Sequence, residues 1–161
     1  MLRAGLLFLM AAAALTPAFA EKYSGPRPTK PDVPFLLHAN KLVSTEVAQA
    51  KEERGKKDNI TYVVDGTGSS AKTPVPEPVF VIESRNIAPE KLGLYKFEIR
   101  NGRREVVMAQ KRSRNGPKPL FLNVTRLGEG LYKVEASEIL EPGEYSLSPE
   151  GTNQVFCFSV F

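Results

Sequence analysis

The stretch Leu140-Glu-Pro-Gly-Glu-Tyr145-Ser-Leu-Ser-Pro-Glu-Gly-Thr-Asn-Gln-Val-Phe156-Cys-Phe-Ser-Val-Phe161 decides the fold. It reads as a corner, a strand, a tight turn and a final strand. Tyr145 and Leu147 alternate on one side of the first strand. Phe156, Phe158 and Val160 alternate on one side of the second, with Cys157 and Ser159 on its less apolar side. Period-two alternation bounded by Pro and Gly is the mark of paired strands.

Working backwards, the same punctuation recurs. Leu120–Thr125 and Leu131–Glu135 read as two strands joined at Gly128-Glu-Gly130. Gly93–Gln110 reads as a hairpin turning at Asn101-Gly102, the strongest short hairpin signal because both residues tolerate positive φ. A two-residue loop would pair Ile99 with Arg104, and a four-residue loop would pair Ile99 with Val106. The second places Arg100 opposite Glu105 and is preferred. Either register puts Tyr95, Phe97, Ile99, Val106 and Met108 on one face. Val79–Glu83 is a buried strand, and residues 65–78 form a loop rich in Gly, Ser and Pro.

Residues 42–57 allow two readings. Ala48, Gln49, Ala50, Lys51, Glu52 and Glu53 favour a short helix over about 44–54, capped by Ser44 or Thr45 and ended by Gly55. The alternative is a polar edge hairpin turning at Arg54–Asn59 into Ile60–Val64. Local propensity favours the helix. Phe35–His38 is a short first strand. Residues 21–34 carry Pro26, Pro28, Pro31 and Pro34 and read as an extended arm.

Residues 1–20 have the plan of a secretion signal. Arg3 gives the charged start, Leu6–Leu15 the apolar core, and Ala18-Phe-Ala20 the small-x-small cleavage site. The expected organisation is therefore a leader over 1–20, an arm over 21–34 and one domain over 35–161. The expected fold is all-β: an antiparallel sandwich of about six to eight strands. The chain is expected to be exported, periplasmic or extracellular. With one Cys among 161 residues no internal disulfide can form, so packing alone must stabilise the domain. The apolar leader core is too short to span a bilayer, and no membrane span remains after cleavage. A small outer-membrane barrel ending in Phe161 fits poorly, because Ser159, Cys157 and Val155 occupy the positions that should be strongly apolar.

The segment Leu140-Glu-Pro-Gly-Glu-Tyr145 resembles the corner of immunoglobulin-like and fibronectin-like domains, where a Leu and a Pro precede a Tyr whose hydroxyl bonds back to the backbone. The wider pattern of a P-G-E-Y strand followed by an F-C-F-S-V strand, with Pro-Phe-Leu-Leu-His-Ala near the start, resembles a group of bacterial secreted β-sandwich proteins with no assigned activity. The resemblance implies an immunoglobulin-like fold and an exported location. It implies no mechanism.

The chemistry-bearing residues are sparse. Cys157 and His38 are the sole Cys and His, so zinc-ligand spacing is absent. A thiol nucleophile would need the fold to bring these two together. Cys157 reads instead as a small packed side chain and His38 as a strand-end residue. Asp58, Asp65 and Glu52-Glu53 do not make a calcium loop. Ser69-Ser70 lies in a Gly-rich loop without a nucleophile elbow, and Gly66-Thr-Gly68 lacks phosphate-cradle spacing. Asn59-Ile-Thr61 and Asn123-Val-Thr125 match glycosylation sequons that fall within strands. No catalytic, metal or cofactor residue is assigned, and no cofactor is expected.

The most pointed surface feature is the basic stretch Arg100, Arg103, Arg104, Lys111, Arg112, Arg114 and Lys118, with Glu105 as the lone acid. Its functional reading is a patch for an anionic glycan or envelope polymer. Its plainer reading is a solvated loop whose charge is offset by Glu83, Glu90 and Glu98. A net charge of +4 is too mild to require a nucleic-acid partner, and none is expected. The leading expectation is a non-enzymatic structural or protein-interaction module of the bacterial envelope. The alternatives are an anionic-polymer binder and a hydrolase with a dispersed site.

Overall fold

A computed structural model describes residues 23–55, 59–109 and 119–161. The described chain is all-β, with no α-helix. Its strands form three antiparallel sheets that do not close into a barrel.

The first sheet holds, in spatial order, β11 (Leu122–Gly128), β12 (Leu131–Ala136), β7 (Val79–Glu83), β1 (Phe35–His38) and β2 (Lys41–Ser44). The second holds β3 (Glu46–Gln49), β14 (Gln154–Val160), β13 (Gly143–Ser148) and β8 (Gly93–Lys96), with the short β6 (Lys72–Thr73) parallel to the end of β14. The third holds β4 (Lys51–Arg54), β5 (Asn59–Asp65), β10 (Arg103–Ala109) and β9 (Glu98–Arg100).

The closing strand explains the layering. Phe156, Phe158 and Val160 of β14 pack with Phe80, Ile82 and Val134 of the first sheet. Val155 and Cys157, on its opposite side, pack with Val64 and Val106 of the third. Strand β14 is thus buried on both faces. That accounts for the nearly unbroken apolar run at the end of the chain, which pure alternation would not require. Ring contacts pin the first interface: Phe158 lies edge-on to Phe80 at 4.9 Å and stacks on Tyr145 at 5.6 Å. The Tyr145 hydroxyl donates to the Glu141 carbonyl at 2.7 Å, four residues back, which forms the corner expected from Leu140–Tyr145.

Three expectations are corrected. The helix over 44–54 is absent: these residues run through β2, β3 and β4. Val47 and Ala48 pair with Phe156 and Val155, and Lys51–Arg54 pair with Ile60–Val63. Tertiary pairing overrides the helix propensity of the segment. The hairpin at Asn101-Gly102 takes the two-residue register, with Arg100 opposite Arg103 and Ile99 opposite Arg104. Asn101 and Gly102 both have positive φ, 50° and 76°, as a tight primed turn demands. Against six to eight expected strands, the described residues form 14 shorter ones. Part of the excess comes from β2, β3 and β4 replacing the helix and from the short β6, and part from changes of sheet: the chain leaves the second sheet for the third at Ala50, and again at Phe97.

The arm docks in part. Asp32 donates its N–H to the Glu83 carbonyl, Pro28 and Pro34 are buried, and Val33 packs on the first core. The Asp32 carboxylate accepts the N–H groups of Arg85, Asn86 and Ile87 at 2.8, 2.8 and 3.1 Å. The expected leader over 1–20 lies outside the described residues.

Candidate functional site

The two sheet-changing corners border a concavity lined by residues of all three sheets. The β9–β10 hairpin keeps its ladder from Arg103 to Glu105 and then splits. At Phe97 the N–H donates to the Glu144 carbonyl at 2.8 Å, and the preceding residues pair with β13. Strand β10 continues in the third sheet against β5. A cleft of about 620 Å³ opens where β8 and β10 diverge. Tyr95 and Phe97 form one wall, Val106 and Met108 another, and Leu122 and Val124 of β11 a third. Ala50 and Val155 floor it, and Ser146 and Ser148 add hydroxyls. Phe121 stands at its rim with 79% of its surface exposed.

The strand walls of the cleft are apolar and its tyrosines are neutral, while Glu90, Lys91 and Glu150 also line it. Burial pushes the Tyr95 hydroxyl above the ordinary tyrosine value, and the nearby Tyr62 adds to this. Burial also raises Tyr62, assisted by the charge and hydrogen bonding of Glu52. Both remain protonated donors at neutral pH. A concave, mostly apolar site with a few placed polar groups is the usual form of a binding pocket.

A buried polar cluster lies beside the cleft wall, with the Arg104 guanidinium 5.9 Å from the Phe97 ring centroid. Arg104 is only 1% exposed. Its Nη2 and Nη1 donate to the two carboxylate oxygens of Glu46 at 2.7 and 3.2 Å. Nη1 also donates to Ser69 Oγ at 2.8 Å, Nη2 to the Asp65 carbonyl at 2.9 Å and Nε to the Gly66 carbonyl at 3.2 Å. A guanidinium has five donors, and all are used here. Glu144 accepts from Ser69 N–H at 2.8 Å, from Ser69 Oγ at 2.6 Å and from Ser159 Oγ. The cluster ties the 66–70 loop to the second and third sheets. Among the described residues no buried side-chain polar atom lacks a partner.

Of the basic stretch, Arg100, Arg103 and Arg104 fall within the described residues. Arg104 faces inward. Arg103 donates to both oxygens of Glu53, at 2.7 and 2.9 Å, and to Glu105 at 2.6 Å. Arg100 pairs with Glu98. Lys111, Arg112, Arg114 and Lys118 lie outside the described residues. Sequence reasoning placed Arg104 on an exposed hairpin because its partners come from three distant segments. A pairing of Ile99 with Arg104 in the shorter register was the one local signal for its inward face.

His38 is exposed at the end of β1, and Cys157 is fully buried in the second core. Burial pushes the Cys157 thiol up to about 12, with Arg104 opposing and Glu46 and Glu144 adding to the rise. The thiol is therefore neither ionised nor supplied with a base. Among the described residues no group of three or more His, Cys, Asp or Glu is placed to hold a metal ion, and no helix is long and apolar enough to cross a membrane. Comparisons with protein-family models, with curated proteins and with solved structures found no match.

Proposed function

We propose that the protein is an exported, non-enzymatic interaction module that binds an apolar element of a partner in the cleft between β8 and β10. One observation carries this reading: a cleft of about 620 Å³, walled by Tyr95, Phe97, Val106, Met108, Leu122 and Val124, stands on the buried Ala50 and Val155. A rigid floor holds the walls in place before a ligand arrives, which limits the ordering entropy lost on binding. The leader pattern of residues 1–20 supports export, and the Tyr145 corner with its closing hairpin supports kinship with immunoglobulin-like sandwiches. The engaged state of Arg100, Arg103 and Arg104 favours the cleft over the basic stretch as the contact surface.

Titration with a fluorescent apolar probe tests the site. Wild type is expected to bind a single equivalent, and Met108→Lys to weaken binding at least tenfold with the thermal midpoint recorded alongside. Equal binding by a folded Met108→Lys protein would refute the cleft. Intact mass of the secreted protein tests export, with Glu21 expected as its first residue.

A further inference from the structure

The hairpin predicted over Gly93–Gln110 is only half made. Continued past the last observed pair, Glu98 with Glu105, its register would set Phe97 opposite Val106, Lys96 opposite Val107, Tyr95 opposite Met108 and Leu94 opposite Ala109. Instead Lys96, Tyr95 and Leu94 pair with Tyr145, Ser146 and Leu147 of the second sheet. Val106–Ala109 keep β5 on one side, and no described strand lies on the other. Among the described residues this is a length of backbone edge with no partner strand, continuous with an existing ladder and bordering the apolar walls of the cleft.

The neighbouring edges of the same sheet are built differently. Strand β4 presents Lys51-Glu-Glu-Arg54, all exposed and all charged, and β9 has three residues. Short or charged edges are the usual guard against unwanted pairing. The open edge of β10 carries Val106, Val107, Met108 and Ala109, with no charge. Val106 and Met108 face the cleft, whereas Val107 is exposed.

We propose that an extended segment of a partner protein adds as a strand beside Val106–Ala109, in line with β9, and sends alternate apolar side chains into the cleft. This rests on the cleft being the binding site. Main-chain hydrogen bonds supply the attachment and the pocket reads every second side chain, as in other strand-addition complexes. Residues opposite Val106 and Met108 must be apolar, and the residue opposite Val107 faces solvent. A fatty-acyl chain would match the apolar walls but leave the strand edge unpaired, so an extended peptide fits the site better.

The test uses the full protein, a capped six-residue peptide of alternating Thr and Phe, and oleate. Amide exchange followed by NMR is expected to show the slot-facing amides of Val106–Ala109 slowed at least tenfold at saturating peptide. N-methylation of the peptide amides that face β10 is expected to weaken binding at least tenfold while leaving the protein itself unchanged. Undiminished binding of the N-methylated peptide, or no slowing at these amides, overturns the strand. Oleate binding without peptide binding overturns the strand and leaves the cleft standing. Binding of neither overturns both. A concentration-dependent dimer that protects the same amides assigns the slot to a second copy and overturns the partner segment.

Discussion

Arg104 and Glu46, 58 residues apart, form a two-pronged ion pair at 2.7 and 3.2 Å inside the junction of two sheets. Burying a guanidinium is unfavourable unless its charge and all its donors are met. Here they are met by one carboxylate, one hydroxyl and two carbonyls. The pair fixes which face of β10 points inward, and so where Val106 and Met108 stand in the cleft.

Removing one partner of a buried pair leaves the other uncompensated. Arg104→Ala is expected to lower unfolding free energy by about 3–5 kcal/mol, read from the shift in urea midpoint. Arg104→Lys should recover less than half of this, because an ammonium cannot reproduce the planar five-donor fork. A change below about 1 kcal/mol, the range of exposed pairs, would place Arg104 at the surface.

Asp32 makes stability pH-dependent. Burial alone would raise its carboxyl, but three backbone N–H groups and the Asn86 amide more than offset this and hold it below the ordinary value of 3.8. A depressed folded value contributes stability that is full above the unfolded value and lost as pH falls through the folded one. Asp32→Asn should therefore be less stable than wild type at pH 6, with the gap closing below pH ~3.5. Thermal midpoints measured from pH 6 to pH 2.5 check this. A gap that widened toward low pH would contradict the capping role.

Cys157 should be inert while the protein is folded. With the thiol pushed up to about 12, roughly one molecule in ten thousand is thiolate at pH 8. Modification by a thiol-disulfide reagent is expected to run at least a thousandfold slower in native protein than in denaturant. Comparable rates would mean that the second core opens readily.

Much of the strand pattern was legible because it is local. The short apolar run of Val79–Glu83, the alternation of Phe156, Phe158 and Val160, and the positive-φ pair Asn101-Gly102 each specify their own geometry. The Leu140–Tyr145 corner was legible for the same reason. The misread parts depend on distant partners. Lys51–Arg54 looks helical until β5 is beside it. Arg100 opposite Glu105 is an attractive pair, but it is worth little at a surface compared with satisfying Arg104 inside. The cleft was invisible because it arises where a hairpin fails to continue, and that break at Phe97 is set by the backbone of Glu144.

The central claim is that the cleft beside β10 is the binding site, and methyl NMR during titration with the alternating Thr–Phe peptide tests it most directly. The account predicts that the methyl groups of Val106, Met108, Leu122 and Val124 shift together and saturate together, while those of Leu36 and Leu131 in the first sheet stay in place. Shifts confined to Leu36 and Leu131, or spread evenly over the molecule, would contradict it.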